Sequence, residues 1–231
     1  METKANIISW MKTYLNESSA DGFVIGISGG VDSALVTALA KEVTDNVLGM
    51  YIDIDSSESS KELAELVAQS TNVKFETINL TNSFNEFVKD DNSDVYSLGN
   101  VKARMRMAKL YQYAQDNNYL VLGCSNKSEI YVGYFTKWGD TASDLFPIAN
   151  LTKGQVYELA VEMGVPAPVI NSIPSADLWE GQTDSEDMGV TYNELELFFE
   201  NKLEDKEAIS KINDMHNNSH HKRIKLNTTT N

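Results

Sequence analysis

The sequence of 231 residues has one cysteine and four prolines. A single cysteine excludes an internal disulfide and any zinc site made of several cysteines, so we expect a reduced, cytoplasmic environment. No apolar run reaches the length of a membrane span, and the N-terminus lacks the basic and apolar regions of a secretory signal, so we expect no membrane segment. Proline and glycine nowhere cluster into a linker, which favours a single domain over residues 1–231.

Positive charge is also scarce. The chain has 19 Lys and Arg against 34 Asp and Glu, a net charge of −15. This balance argues against a protein whose main role is to bind nucleic acid non-specifically. It does not exclude anionic small molecules, because a binding site needs only local positive charge. Hydrophobic residues make up 42% of the chain, which is ordinary for a soluble globular enzyme.

Short apolar runs alternate with helical patterns along the first part of the chain. We predict four buried strands, at residues 22–28, 47–54, 73–80 and 119–124. Because such alternation is typical of βαβ units, we expect an α/β fold: a Rossmann-like parallel sheet with helices on both faces and a C-terminal helical extension. Parallel sheets bind ligands at the carboxyl ends of their strands, here the turns after Ile27, Ile54 and Leu122.

Helices and loops around these strands are also predicted. Ser59 and Glu62 have the spacing of a capping box, which predicts that a helix begins there. Further helices are expected at residues 3–16, 31–43, 81–90, 99–117 and 152–163, with two acidic helices over about 191–217. Residues 133–151 and 172–190 form long loops, which are often functional. We expect a nucleotide-binding core at about 20–165, with the loop and helices of about 166–231 closing the site.

The strongest local signal is Ser28-Gly29-Gly30-Val31-Asp32-Ser33, between a predicted strand and helix. Two glycines let the backbone approach a ligand closely, and the helix N-terminus offers N–H groups to an anion. The Gly-Lys-Ser/Thr ending of a Walker A loop is absent. Asp32 would repel bound phosphates unless a divalent cation lay between them, so the turn predicts a nucleotide with Mg²⁺. Alternatively, Asp32 only complements the helix dipole.

Other charged residues follow the same logic. Glu129 comes after the fourth strand, so we expect it near Asp32, where both carboxylates could share one Mg²⁺; alternatively it is a helix-start glutamate. Lys153 in the first turn of a helix is electrostatically unfavourable, which favours an anionic ligand there. Asp140 lies in the long loop, where ordinary loop charge is one interpretation of it. Three further residues could contact a ligand or line a solvated helix face: Lys102, Arg106 and Lys109.

The hexapeptide at 28–33 resembles the pyrophosphate loop of the N-type ATP pyrophosphatases, which cleave ATP to AMP and pyrophosphate while activating a substrate. Four later segments resemble ammonia-dependent NAD synthetases. They are residues 99–106 (GNVKARMR), 126–129 (NKSE), 133–140 (GYFTKWGD) and 174–184 (PSADLWEGQTD). The five motifs occur in the family's order, from about residue 20 to 223.

The resemblance implies roles for individual residues. It assigns ATP binding to Gly26, Ile27, Ser28, Gly29, Gly30, Val31, Asp32, Ser33, Cys124, Lys153 and Ser175. It assigns the metal to Asp32 and Glu129, and deamido-NAD (nicotinate adenine dinucleotide) to Arg104, Lys137, Asp144, His221 and Lys222. We expect Asp140 and Lys153 to be catalytic. Cys124 departs from the family, which usually has threonine there, and cysteine is a weaker hydrogen-bond donor.

The resemblance therefore implies a ligase that amidates deamido-NAD with ammonia through an acyl-adenylate and gives NAD, AMP and pyrophosphate. Expected partners are ATP, ammonia, deamido-NAD and a second copy of the chain, with neither nucleic acid nor membrane. About 20 residues precede the first predicted strand, too few for an N-terminal glutaminase, so the expected nitrogen source is free ammonia or a separate partner that supplies ammonia. The alternatives are another ATP pyrophosphatase (nicotinate mononucleotide-amidating, GMP-forming or tRNA-modifying) and an inactive nucleotide-binding module.

Overall fold

The computed structural model describes residues 2–223. Its sheet contains β1 (Gly22–Gly26), β2 (Val47–Asp53), β3 (Lys74–Asn79) and β4 (Tyr119–Leu122). The strands lie in the order β3-β2-β1-β4, and every neighbouring pair is parallel. Because the chain extends the sheet from β1 to β3 and then returns to the other side of β1, the strand order reverses between β1 and β4. Ligands of such sheets bind at this reversal, outside the carboxyl ends of the strands.

Helices surround this sheet and extend beyond it. In the described part of the chain they are α1 (Glu2–Glu17), α2 (Val31–Val43), α3 (Glu58–Thr71), α4 (Thr81–Phe87), α5 (Val95–Asn117), α6 (Lys127–Val132), α7 (Lys153–Glu162), α8 (Ala167–Ile170), α9 (Asp184–Met188), α10 (Tyr192–Phe199), α11 (Lys206–Asn218) and α12 (His220–Arg223). No helix within residues 2–223 is long and apolar enough to cross a membrane.

The two faces of the sheet carry separate apolar cores, because side chains alternate along a strand. On β1, Phe23 and Ile25 belong to a core shared with α1, α2, α3 and α7, whereas Val24 faces α5 through Met107 and Leu110. All five side chains are nearly or fully buried. The expected α/β fold, with a parallel sheet and helices on both faces, is therefore confirmed.

The C-terminal helices form a third apolar cluster of their own. Val132 of α6 and Met188 of α9 pack there with Leu195 of α10 and Ile212 of α11. Since α6 directly follows β4, this cluster brings the late part of the chain to the carboxyl edge of the sheet. The predicted C-terminal helical extension is thus present, although its last residues, 224–231, lie outside the described part of the chain.

Three sequence predictions of helix positions were wrong. The N-cap of α3 is Ser57, whose side chain accepts from the Ser60 N–H, and not Ser59. Helix α5 begins at Val95 and not near residue 99, because Asp94 caps it by accepting from the Ser97 N–H. The loop predicted over 172–190 contains the short helix α9.

Candidate active site

The turn after β1 has the geometry predicted for a phosphate loop. Gly29 has φ +89°, and a Cβ atom there would lie 2.5 Å from the Ser60 carbonyl oxygen, so only glycine fits. The Ser28 and Ser33 hydroxyls lie 3.2 Å apart, and the Gly30 N–H donates to the Ser28 hydroxyl. Gly30 is also the N-cap of α2, with no side-chain capping bond. The first turn of α2 therefore offers N–H groups to an anion.

Asp32, Glu129 and Lys153 meet beside this turn, although they come from α2, α6 and α7. The Lys153 Nζ atom lies 2.5 Å from the Asp32 Oδ2 atom and 3.5 Å from the Glu129 Oε1 atom. Asn126 connects the two acids: its amide donates to Asp32, and its backbone N–H donates to Glu129. The structure thus brings together the two carboxylates predicted to share a cation.

Burial makes this group strongly electrostatic. The Lys153 side chain is 4% exposed, and those of Asp32 and Glu129 are 16% and 15% exposed. Desolvation and the charge of Asp32 raise the pKa of Glu129 well above its usual range, although Lys153 opposes this. For Lys153, burial acts to lower the pKa, but the charges of Asp32 and Glu129 prevail and raise it, so the lysine stays protonated.

The residues present fit a hard divalent cation. The two carboxylates supply the oxygen ligands that Mg²⁺ prefers, and the Lys153 ammonium now occupies the space between them. Within residues 2–223 no cluster of three or more histidine, cysteine or acidic side chains could bind a metal by itself. Mg²⁺ is commonly held by one or two carboxylates together with substrate phosphates, and such a pair lies here beside the phosphate loop.

A second group lies along the 133–140 segment. The Thr136 N–H donates to Asp140 Oδ1 over 2.8 Å, and the ammonium of Lys222 donates to the Gly133 and Phe135 carbonyls. Although Asp140 is exposed, the protein atoms around it raise the pKa of its carboxyl to about 6 by desolvation, against the opposing effect of the Thr136 N–H. Asp140 is therefore ionised at neutral pH but within reach of protonation.

Basic side chains surround the same segment. Exposed Arg104 donates from Nε to the Lys137 carbonyl, and Lys137 donates from Nζ to the carbonyl of His221. These contacts use backbone acceptors, and neither side chain forms an ion pair with an acid within residues 2–223. The arrangement can therefore bind an anionic molecule next to Asp140.

Comparison with known proteins identifies the family of the chain. The family model described as NAD synthase matches residues 3–229.

The chain belongs to the NAD synthase family.

The NH(3)-dependent NAD(+) synthetase of Malacoplasma penetrans is 45% identical over 218 residues, which cover 94% of this chain and 90% of that protein. Among solved structures, an NMN synthetase from Francisella tularensis superimposes with a TM-score of 0.95 at 38% identity, over 100% of this chain and 98% of the other. An NH3-dependent NAD synthetase from Campylobacter jejuni has a TM-score of 0.84 at 27% identity, over 99% and 98% of the two chains.

Three further residues expected at the site of a NAD synthase family member differ in their surroundings. Asp144 accepts from the Val121 N–H and the Tyr111 hydroxyl, so both of its oxygens hold the loop to β4 and α5. Ser175 is exposed, and its hydroxyl accepts from the Asp177 N–H. Cys124 is half-buried, and burial together with nearby carboxylates raises the pKa of its thiol, which makes it a poor nucleophile.

The basic stretch on α5 is not the uniform solvated face that was one alternative. Arg106 donates to the Ile52 carbonyl and the Ser56 hydroxyl, and Lys102 is buried with its ammonium over the Phe84 ring. Lys109 remains a partly exposed residue that donates to Gln112 on its own helix. Arg106 therefore holds the turn after β2 against α5.

Sequence reasoning assigned no role to several polar residues of the site. Asn126 caps α6 in a reciprocal capping box with Glu129, and this spacing of an N-cap residue and a glutamate was visible in the sequence. Tyr192 and Asp184 also reach Glu129 and Lys153, but they come from α10 and α9. Asp184 ends the 174–184 motif, but no sequence pattern indicated the approach of Tyr192, because it depends on how the C-terminal cluster docks.

Proposed function

We propose that this member of the NAD synthase family amidates the nicotinate carboxylate of deamido-NAD with ammonia, and that ATP is converted to AMP and pyrophosphate. The observation that carries the proposal is the juxtaposition of Asp32, Glu129 and Lys153 beside the Ser28–Ser33 turn. Two acids and a lysine at a phosphate-binding turn suit a nucleotide that loses pyrophosphate.

The reaction needs activation because a carboxylate is a poor acyl donor. An oxygen of the nicotinate carboxylate attacks the α-phosphorus of ATP, and the bond from that phosphorus to pyrophosphate breaks. The resulting acyl-adenylate is then attacked by ammonia at the acyl carbon, the bond to AMP breaks, and nitrogen loses a proton. The protein contributes mainly by aligning two anionic substrates and by stabilising the charge that develops on the leaving groups.

Phosphate binding falls to the turn after β1. The backbone of residues 26–30, the first turn of α2 and the Ser28 and Ser33 hydroxyls surround the place where phosphates would lie. The Lys153 ammonium, which contacts Asp32 in this structure, would contact the phosphates instead when ATP is bound. Asp32 and Glu129 would hold Mg²⁺, which when bound supplies neutralising charge for pyrophosphate. Cys124 and Ser175 are assigned to ATP only through the family resemblance.

Acceptor binding falls to the basic side chains around the 133–140 segment. Arg104, Lys137, Lys222 and the neighbouring His221 would bind the anionic dinucleotide, whereas Asp144 would act by holding the loop. Asp140 would attract ammonium and accept its proton, which its pKa of about 6 suits. A homodimer would place part of the dinucleotide site between two copies of the chain.

The nicotinate mononucleotide is the second candidate acceptor. One observation favours it: the Francisella NMN synthetase superimposes on the whole chain with a TM-score of 0.95. The two acids share the reacting carboxylate and differ in the adenylate half, so the chemistry above holds for both.

One incubation series tests the proposal. The protein is given ATP, Mg²⁺ and ammonium with deamido-NAD or with nicotinate mononucleotide, and amide and nucleotide products are separated by chromatography. We expect AMP and amide in equal amounts, with a higher kcat/KM for deamido-NAD. A higher kcat/KM for the mononucleotide would show that it, and not deamido-NAD, is the preferred acceptor. ADP as the nucleotide product would refute activation through an acyl-adenylate.

A further inference from the structure

Tyr192 contacts three charged groups of the site at once. Its hydroxyl lies 3.2 Å from Glu129 Oε1 and 2.7 Å from Asp184 Oδ2. Its ring supports the ammonium of Lys153, which lies 4.7 Å from the ring centroid. A half-buried tyrosine with all three contacts does more than fill space, because each contact restrains a group on which phosphate and cation binding would depend.

Asp184 fixes the orientation of this hydroxyl. Asp184 is 5% exposed as a residue, its two carboxylate oxygens contact the hydroxyls of Tyr192 and Tyr134, and it lacks a direct ion pair among residues 2–223. The Tyr134 hydroxyl also contacts Asp187, to which the Gln182 amide donates. Polar contacts therefore run continuously from Glu129 into the C-terminal cluster. The Tyr192 hydroxyl shares its one proton between Glu129 and the nearer Asp184, which anchors it.

The backbone around Tyr192 is well restrained. Thr191 caps α10 by accepting from the Glu194 N–H, and the Glu194 carboxylate accepts from the Thr191 N–H in return. Glu196, one turn further along α10, accepts from the Gly154 N–H over 2.7 Å and so joins α10 to the start of α7. Tyr192 is thus presented by a capped helix that is joined to the helix carrying Lys153.

We propose that Tyr192 is a positioning residue that orients Glu129 for the divalent cation and Lys153 for the phosphates, so that α10 completes the site. This inference rests on the proposed function. It gives the C-terminal helical cluster a role at the metal and phosphate site, in addition to its packing at the carboxyl edge of the sheet. Substituting a residue that orients a metal ligand through a hydrogen bond commonly lowers metal affinity or activity by about 10–100-fold.

Two substitutions test the hydroxyl and its anchor while the ring stays in place. Tyr192→Phe removes the bonds to Glu129 and Asp184 but keeps the ring beneath Lys153. Asp184→Asn keeps Tyr192 but removes the charge of its anchor. Tyr131→Phe is the matched control, because Tyr131 lies in the same cluster and makes its contacts through its ring with Phe198, Phe199 and His216.

The test measures Mn²⁺ binding by electron paramagnetic resonance, with the full chain and a non-hydrolysable ATP analogue. We expect Tyr192→Phe to weaken Mn²⁺ binding by about 10–100-fold, the usual effect of losing such a partner. Asp184→Asn should change the affinity in the same direction, and Tyr131→Phe should leave it unchanged. Steady-state kinetics should show a higher Mg²⁺ requirement in Tyr192→Phe, with KM for the acceptor unaltered.

The outcomes distinguish this inference from the proposed function. A wild-type protein that forms neither AMP nor amide refutes the function. An active wild-type protein whose Mn²⁺ affinity is unchanged by Tyr192→Phe, or lowered equally by Tyr131→Phe, overturns the positioning role. If Tyr192→Phe does not fold, Mn²⁺ binding to Asp184→Asn tests the same inference. An unaltered Mn²⁺ affinity in Asp184→Asn would also overturn the positioning role of Tyr192.

Discussion

Replacing Lys153 with methionine should destabilise the folded protein severely in Mg²⁺-free buffer. Methionine fills a similar volume but carries no charge, so Asp32 and Glu129 lose the cation that lies between them. The lysine is 4% exposed, so water cannot readily take its place. Because the site is buried, the surroundings screen charge poorly, and without the ammonium the carboxylates of Asp32 and Glu129 repel each other.

The magnitude follows from this burial. Removing one partner of a buried ion pair costs about 3–5 kcal/mol. Glu129 can relieve part of this by taking up a proton, since its pKa is already raised, so we expect a value near the lower end, about 3 kcal/mol. In a chain of this size about 3 kcal/mol corresponds to a fall of roughly 6–12 °C in Tm.

Urea denaturation and calorimetry measure this loss. Lys41→Met is the control, because its partner Asp45 lies on an exposed surface, where ion pairs contribute little. Adding Asp32→Asn to Lys153→Met should recover part of the stability, since it removes an unpaired buried charge. A loss in Lys153→Met no greater than that in Lys41→Met would refute the electrostatic account of the site.

Four further predictions concern the phosphate loop, the proton acceptor and the acceptor site. Gly29→Ala should lower stability by about 1–2 kcal/mol from the positive φ alone, and more from the clash with Ser60, and should abolish ATP binding measured by calorimetry. At constant free ammonia, turnover should fall as pH is lowered through an apparent pKa near 6, because Asp140 becomes protonated. Asp140→Asn should lose this acidic part of the pH–rate profile. The pKa of Asp140 is higher in the folded state than in the unfolded state, so its ionisation lowers the stability of the fold as pH rises through about 6. Thermal unfolding at pH 8 should therefore find Asp140→Asn no less stable than wild type. A large loss of stability would indicate a structural role for Asp140. Lys222→Met should release the Gly133 and Phe135 carbonyls and raise KM for the dinucleotide more than KM for ATP in steady-state assays; equal changes would contradict its place in the acceptor site.

The parallel sheet and the proximity of the Asp32 and Glu129 carboxylates could be predicted, because both follow from short-range patterns in the sequence. Apolar strands alternating with helical segments define the βαβ order, and β1 pairs with β4, so residues that follow these strands meet at one edge. Asp32 and Glu129 could be brought together by that rule alone. Lys153 could be identified as unusual from its position in the first turn of α7, but not as the cation between the two acids.

Other features depend on long-range packing or on competition between neighbouring residues. Tyr192 and Asp184 reach the site only because the C-terminal cluster docks α9 and α10 against α6, and no local pattern encodes that docking. Ser57 and Ser59 are both suitable N-cap residues, and the choice of Ser57 depends on the turn after β2. Arg106 points inward because Ile52 and Ser56 offer acceptors there, which a helical charge pattern does not reveal.

The most direct test of the central claim follows an oxygen atom. Deamido-NAD labelled with ¹⁸O in its nicotinate carboxylate is incubated with the protein, ATP, Mg²⁺ and ammonium, and the products are analysed by mass spectrometry. Adenylate formation predicts that AMP carries the label in its phosphate for each amide that forms. Label in inorganic phosphate accompanied by ADP, or amide formation without labelled AMP, would contradict the account.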